Sequence, residues 1–131
     1  KTQIHPGIDI GAPTGTPLYA VTDGIVINTD QTSKTTGFGN FVCLLVKNGE
    51  DVYMITYGHM SERIAGLNQR VKKGDVLGLV GSTGMSSGPH LHFQVNKGNS
   101  WAYPKLNPFE IDKIKEALPE EKRGDANFIA T

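Results

Sequence analysis

The chain has 131 residues, 13 Lys and Arg against 13 Asp and Glu, one Cys and four His. That length predicts one domain, able to bury about two-thirds of its unfolded surface without covalent staples. Zero net charge argues against nucleic acid or a membrane surface as partner. One Cys excludes an internal disulfide framework and any multi-cysteine metal site, and no apolar run approaches the roughly 18 residues of a membrane helix.

The chain opens Lys1-Thr2-Gln3-Ile4-His5, without an initiator Met or a signal-peptide pattern, and so reads as an excised domain or a processed form. Short runs rich in Val, Ile, Tyr and Phe then predict strands at 7–10, 17–21, 24–29, 40–46, 51–57, 76–80 and 91–95. Turn residues separate them, among them Thr22-Asp23-Gly24 and Lys73-Gly74-Asp75; Asn48-Gly49 between two apolar runs is a hairpin signal. Tyr53, Ile55 and Tyr57 alternate with Met54 and Thr56, which predicts one buried face. Cys43, inside Phe41-Val42-Cys43-Leu44-Leu45-Val46, reads as a core thiol, because a reactive thiol needs a polar, activating setting. Segments 30–39 and 81–89 are long, small, polar and glycine-rich, as functional loops often are.

Asn107-Pro108 starts a helix whose Phe109, Ile111, Ile114, Ala117 and Leu118 follow a spacing near 3.6, and Pro119 ends it. The expected fold is therefore all-β: an antiparallel sheet or sandwich core, glycine-rich loops forming a groove, and one short C-terminal helix. Residues 1–118 make the functional domain, and 119–131 a polar tail.

The histidines carry the chemistry. In His5-Pro6-Gly7-Ile8-Asp9, a turn at Pro6-Gly7 brings an imidazole back toward a carboxylate, both good zinc donors; the plain alternative is a surface His and a turn Asp. In His90-Leu91-His92-Phe93, strand periodicity sends both His to one face and Leu91 and Phe93 to the other. His59 follows Tyr57-Gly58 at the expected end of a strand, beside the sheet. Singly, each is a weak signal. Together, three ligands with an open position define a catalytic zinc site, and two further His can serve as general acid and base. The helical His-Glu-x-x-His motif is absent, so such a site must be built on strands.

His5-x-x-x-Asp9, Tyr57-Gly58-His59 and Gly88-Pro89-His90-Leu91-His92-Phe93 resemble the lysostaphin-type zinc endopeptidases, the M23 or LytM-like peptidases. Val71-Lys72-Lys73-Gly74-Asp75-Val76-Leu77-Gly78 and Gly81-Ser82-Thr83-Gly84 are similar to that family's glycine-rich segment, and the likeness runs from about His5 to Pro108. The resemblance implies Zn²⁺ held by His5, Asp9 and His92, with His59 and His90 flanking the water on the metal, their roles undivided. It implies hydrolysis of stem or cross-bridge peptides of bacterial peptidoglycan, at the cell wall, outside the cell or on a phage tail. A monomer is expected, with no nucleic-acid or membrane partner. Two neutral His and one carboxylate leave a zinc site at net +1, which favours a hydroxide.

Phe38, Asn40 and Ser86, in Gly/Ser/Thr-rich segments, and Trp101 and Tyr103 after the last strand, are the candidate substrate contacts; packing against the sheet is the alternative for the aromatic rings. Two other functions compete. One is a low-activity module of the same fold that binds peptidoglycan or regulates a hydrolase. The other is a lipoyl- or biotinyl-type carrier, suggested by Val71–Leu77 but lacking the flanks of a modified Lys72 or Lys73.

Overall fold

The computed structural model describes residues 7–28, 38–83, 88–100 and 105–106. Strand alternation organises them. In β5 (Asp51–Arg63), Tyr53, Ile55 and Tyr57 enter the main core, while Met54 joins a smaller cluster on the opposite face. The other strands are β1 (Gly7–Gly11), β2 (Pro17–Tyr19), β3 (Gly24–Asn28), β4 (Asn40–Asn48), β6 (Arg70–Val71), β7 (Val76–Val80), β8 (His90–Lys97) and β9 (Lys105–Leu106).

These strands form one sheet in the order β1-β8-β5-β4-β3-β6, with β7 on β5, β2 on β7 and β9 on β8. Every pairing is antiparallel. The all-β expectation is met; the helix expected over 109–118 and the tail 119–131 lie outside the described residues.

Several strand ends differ from expectation. β5 does not stop at Tyr57 but runs on to Arg63. It pairs with β4 and β8 through its first part and with β7 through its last, and a register shift at Met60/Glu62 accompanies the change of partner. Such a bulge inserts a residue and breaks the period-2 signal, which hides the continuation from a sequence pattern. β8 likewise starts at His90 and extends to Lys97. β2 stops at Tyr19 because Ala20 instead exchanges backbone hydrogen bonds with Gly74 and Asp75, 2.9 and 2.8 Å long. β6 and β9, two residues each, are too short to carry an alternation. The expected hairpin at Asn48-Gly49 is present, with Gly49 at φ 67° supplying the left-handed turn.

The main core packs Val26, Val42, Leu44, Ile55, Tyr57, Leu77, Phe93 and Val95. Each such side chain contributes about 1.5–3 kcal/mol by leaving water. Tyr57 crosses the core edge-on to Phe93, and its hydroxyl accepts the Val21 N–H at 3.1 Å. On the other face, Phe41, Cys43 and Met54 form the smaller cluster, with Ile27 and Phe38 against it. This second face also carries the polar side chains of β8.

Candidate active site

Register builds the site. Across β1 and β8, Asp9 lies opposite His92 and Gly11 opposite His90; across β5 and β8, Gly58 lies opposite His92. Directly opposed residues share a face, so Asp9 and His92 emerge together, with His90 two residues along. Leu91, Phe93 and Val95 point the other way, into the main core. The expected split of β8 into an imidazole face and an apolar face is what the fold contains.

His59 enters from β5, beside Gly58. It is not at a strand end, as expected, but inside β5 where the strand changes neighbours. Its φ is 62°, a left-handed conformation that costs a non-glycine residue about 1–2 kcal/mol. The His59 N–H donates to the Phe38 carbonyl at 2.7 Å, which holds the bent strand. The ring then lies 4.8 Å from that of His90 and 6.1 Å from that of His92, centroid to centroid.

Hydrogen bonds fix which nitrogen of each ring faces the site. His59 Nδ1 lies 2.6 Å from the Thr83 carbonyl, and His90 Nδ1 lies 2.9 Å from the Gly88 carbonyl. A carbonyl only accepts, so each Nδ1 carries the hydrogen and each Nε2 carries a lone pair. Burial lowers the His59 pKa below the ordinary imidazole value, aided by the neighbouring His90 and His92 and opposed by the bond to Thr83 and by Asp9. That ring is therefore a neutral proton acceptor near pH 7.

His92 is turned the other way. Its Nε2 lies 2.9 Å from Gln94 Oε1, and its Nδ1 lies 3.0 Å from Asp9 Oδ1. With the hydrogen on Nε2, Nδ1 and the Asp9 carboxylate are two acceptors face to face, an arrangement that calls for a cation between them. His90 Nε2 stands 3.6 Å from the same Asp9 oxygen. Nitrogen and carboxylate oxygen are the donors that zinc takes at about 2.0–2.2 Å, so the donor set fits a metal. Among the described residues no three acidic, His or Cys side chains form a metal-holding group. The third ligand expected from the sequence, His5, lies outside the described residues.

The other sequence candidates are placed as follows. Phe38 stacks on His92, with centroids 5.3 Å apart and planes 28° apart. It packs edge-on against Phe41 at 6.2 Å. Asn40 donates its side-chain amide to the Met60 carbonyl at 3.1 Å and its backbone N–H to Thr83 Oγ1 at 3.0 Å, beside His59. Ser86, Trp101 and Tyr103 lie outside the described residues.

Sequence reasoning missed two supporting residues, Thr83 and Gln94. The first sits in the Gly81-Ser82-Thr83-Gly84 segment. The second lies two residues beyond His92, the strand spacing that already linked His90 to His92.

Comparison with known proteins gives the same answer from outside the site. Residues 3–104 match the model of Peptidase family M23. The chain is 37% identical over 127 residues to the peptidoglycan DD-endopeptidase ShyA of Vibrio cholerae, covering 96% of this chain and 27% of that protein. It is 39% identical over 90 residues to the glycyl-glycine endopeptidase ALE-1 of Staphylococcus capitis, covering 69% and 24%. The catalytic domain of lysostaphin from Staphylococcus simulans superposes with a TM-score of 0.70 at 31% identity, covering 81% of this chain and 77% of that one. The chain thus spans about a quarter of the length of the curated relatives it matches. With the match running through nearly all of the described sheet, this chain belongs to peptidase family M23.

Proposed function

We propose that this domain is a zinc endopeptidase that hydrolyses peptide bonds of bacterial peptidoglycan, in the stem or the cross-bridge. The observation that carries the reading is the convergence of Asp9 Oδ1, His92 Nδ1 and His90 Nε2, with the His59 ring 4.8 Å from His90. Family membership and the activities for which ShyA and ALE-1 are named support the substrate class.

His5, Asp9 and His92 would hold the metal. When bound, zinc supplies a Lewis acid that polarises the scissile carbonyl and acidifies a water. The chain's own residues do the rest. His59 and His90 present Nε2 lone pairs from one side, each ring locked by its Nδ1–H to a backbone carbonyl. One of them accepts the proton of the attacking water, and the Nε2–H so formed is the donor to the departing amine or to the developing oxyanion. Phe38, Asn40, Ser86, Trp101 and Tyr103 are proposed to line the peptide groove. The domain acts as a monomer, outside the cytoplasm, where its substrate lies; among the described residues no helix is long and apolar enough to cross a membrane.

The test is zinc content together with release of new amino groups from purified peptidoglycan. One zinc per chain and measurable release are expected. His90→Ala should keep the zinc and lose turnover; a variant as active as the parent would overturn the role given to His90. Muropeptides from walls of different bridge chemistry then identify the bond.

A further inference from the structure

The polar face of β8 does not end at the histidines. His92, Gln94 and Asn96 occupy alternate positions of one strand, so all three project from the same side of the sheet. All three are buried, Gln94 at 3% exposure and Asn96 at 0%. Their side chains are joined in series: His92 Nε2 to Gln94 Oε1 at 2.9 Å, then Gln94 Nε2 to Asn96 Oδ1 at 2.9 Å. Two carboxamides in a sheet interior lower stability unless their hydrogen bonds are made. Apolar side chains would fill the same space without that demand, and Phe41, Cys43 and Met54 do so elsewhere on this face.

We infer that Gln94, oriented by Asn96, is a positioning residue that sets the tautomer of His92. The direction of the chain of hydrogen bonds is the argument. Asn96 Oδ1 only accepts, so it takes the Gln94 N–H₂ and leaves Gln94 Oε1 turned toward His92. Oε1 also only accepts, so the hydrogen of the neutral ring is held on Nε2. The Nδ1 lone pair then faces Asp9 Oδ1, 3.0 Å away. With Gln94 reversed, its N–H₂ would meet Nε2, the ring hydrogen would move to Nδ1, and His92 would offer Asp9 a donor where a metal needs a lone pair. Metal-binding imidazoles are usually fixed by such a bond from the second nitrogen. Here the acceptor comes from the same strand, two residues along, and is itself braced two residues further. Phe38, stacked on His92, holds the plane of the ring, whereas Gln94 holds its proton.

This inference rests on the proposed ligand role of His92, and the experiment separates the two. In metal-free protein labelled with ¹⁵N-histidine, at a pH where the ring is neutral, long-range ¹H–¹⁵N correlation should report the Nε2–H tautomer for His92. An Nδ1–H tautomer in the parent protein overturns the inference without need of any variant. Gln94→Leu should lose that tautomer preference and weaken zinc binding, measured by chelator competition, by about 10–100-fold. Gln94→Glu, which keeps an acceptor against Nε2, should regain most of the loss. Zinc affinity unchanged in Gln94→Leu, with His92→Ala still abolishing uptake, would overturn the positioning role alone. Zinc retained by His92→Ala would overturn the ligand assignment itself.

Discussion

The carbonyl oxygen of Thr83 lies 2.6 Å from His59 Nδ1, and the hydroxyl of the same Thr83 donates to the Met60 carbonyl at 2.7 Å. One residue therefore grips both the imidazole and the strand segment that bears it. Thr83→Val removes the hydroxyl, which also accepts the Asn40 N–H at 3.0 Å. Leaving two backbone groups without that partner should cost about 1–3 kcal/mol of stability. Misplacing the His59 ring should lower kcat by about 10–100-fold with a smaller change in KM. Thr83→Ser should restore both. Thermal melts and initial rates of amine release check it.

Gly58 lies opposite His92, and a methyl group there would stand 3.0 Å from Cδ1 of Phe38, the ring stacked on His92. Gly58→Ala should displace Phe38 by a few tenths of an ångström. We expect a stability loss of about 1 kcal/mol. The loss of turnover should be larger than that destabilisation implies, because the shifted ring borders His92. A variant with parental kcat would show that Phe38 packing does not matter to the site.

Gly81 lies tight against the backbone of Met60 and Ser61, one and two residues past His59 on β5. A Cβ there would overlap the Ser61 amide nitrogen and stand 2.7 Å from its Cα. Backbone cannot yield as a side-chain tip does, so Gly81→Ala should destabilise the domain by about 3 kcal/mol and impair activity even well below the melting temperature. A melting temperature within a degree or two of the parent would contradict this.

Alkaline pH should destabilise the domain. Burial pushes the Cys43 thiol up to about 11 from 9.0, outweighing its contact with Thr56. Burial also raises the Tyr57 phenol. The folded state then keeps protons that the unfolded chain releases. The Cys43 contribution is complete below pH 9 and is lost as pH rises toward about 11, roughly 2–3 kcal/mol in all. Melting temperatures from pH 8 to 11 should fall, and Cys43→Ala should lose less across that range than the parent.

The sequence made the histidines of β8 legible because strand alternation is local: His90 and His92 need only Leu91 and Phe93 to declare their face. The pairing of Asp9 with His92 was legible only through resemblance, since antiparallel register joins residues 83 apart in sequence. The course of β5 beyond Tyr57 was hidden by two irregularities: Gly58 and His59 together face one residue of β4, and the register shifts again at Met60/Glu62. Thr83 acts on His59 through its main-chain carbonyl, and a backbone atom leaves no mark on residue choice. Nothing in the sequence singles out Gln94 and Asn96, because it does not tell a buried carboxamide from a solvated one.

The alternation of β8 also acts as a proofreading device. Sliding β8 by one residue against β1 and β5 would turn His90, His92, Gln94 and Asn96 into the main core and expel Leu91, Phe93 and Val95. Each expelled apolar side chain alone forfeits about 1.5–3 kcal/mol, and the imported polar groups would lose their partners. A misregistered chain therefore cannot reach a stable fold. Molecules that pass the folding transition have the proposed site residues of β8, His90 and His92, already in step with Asp9.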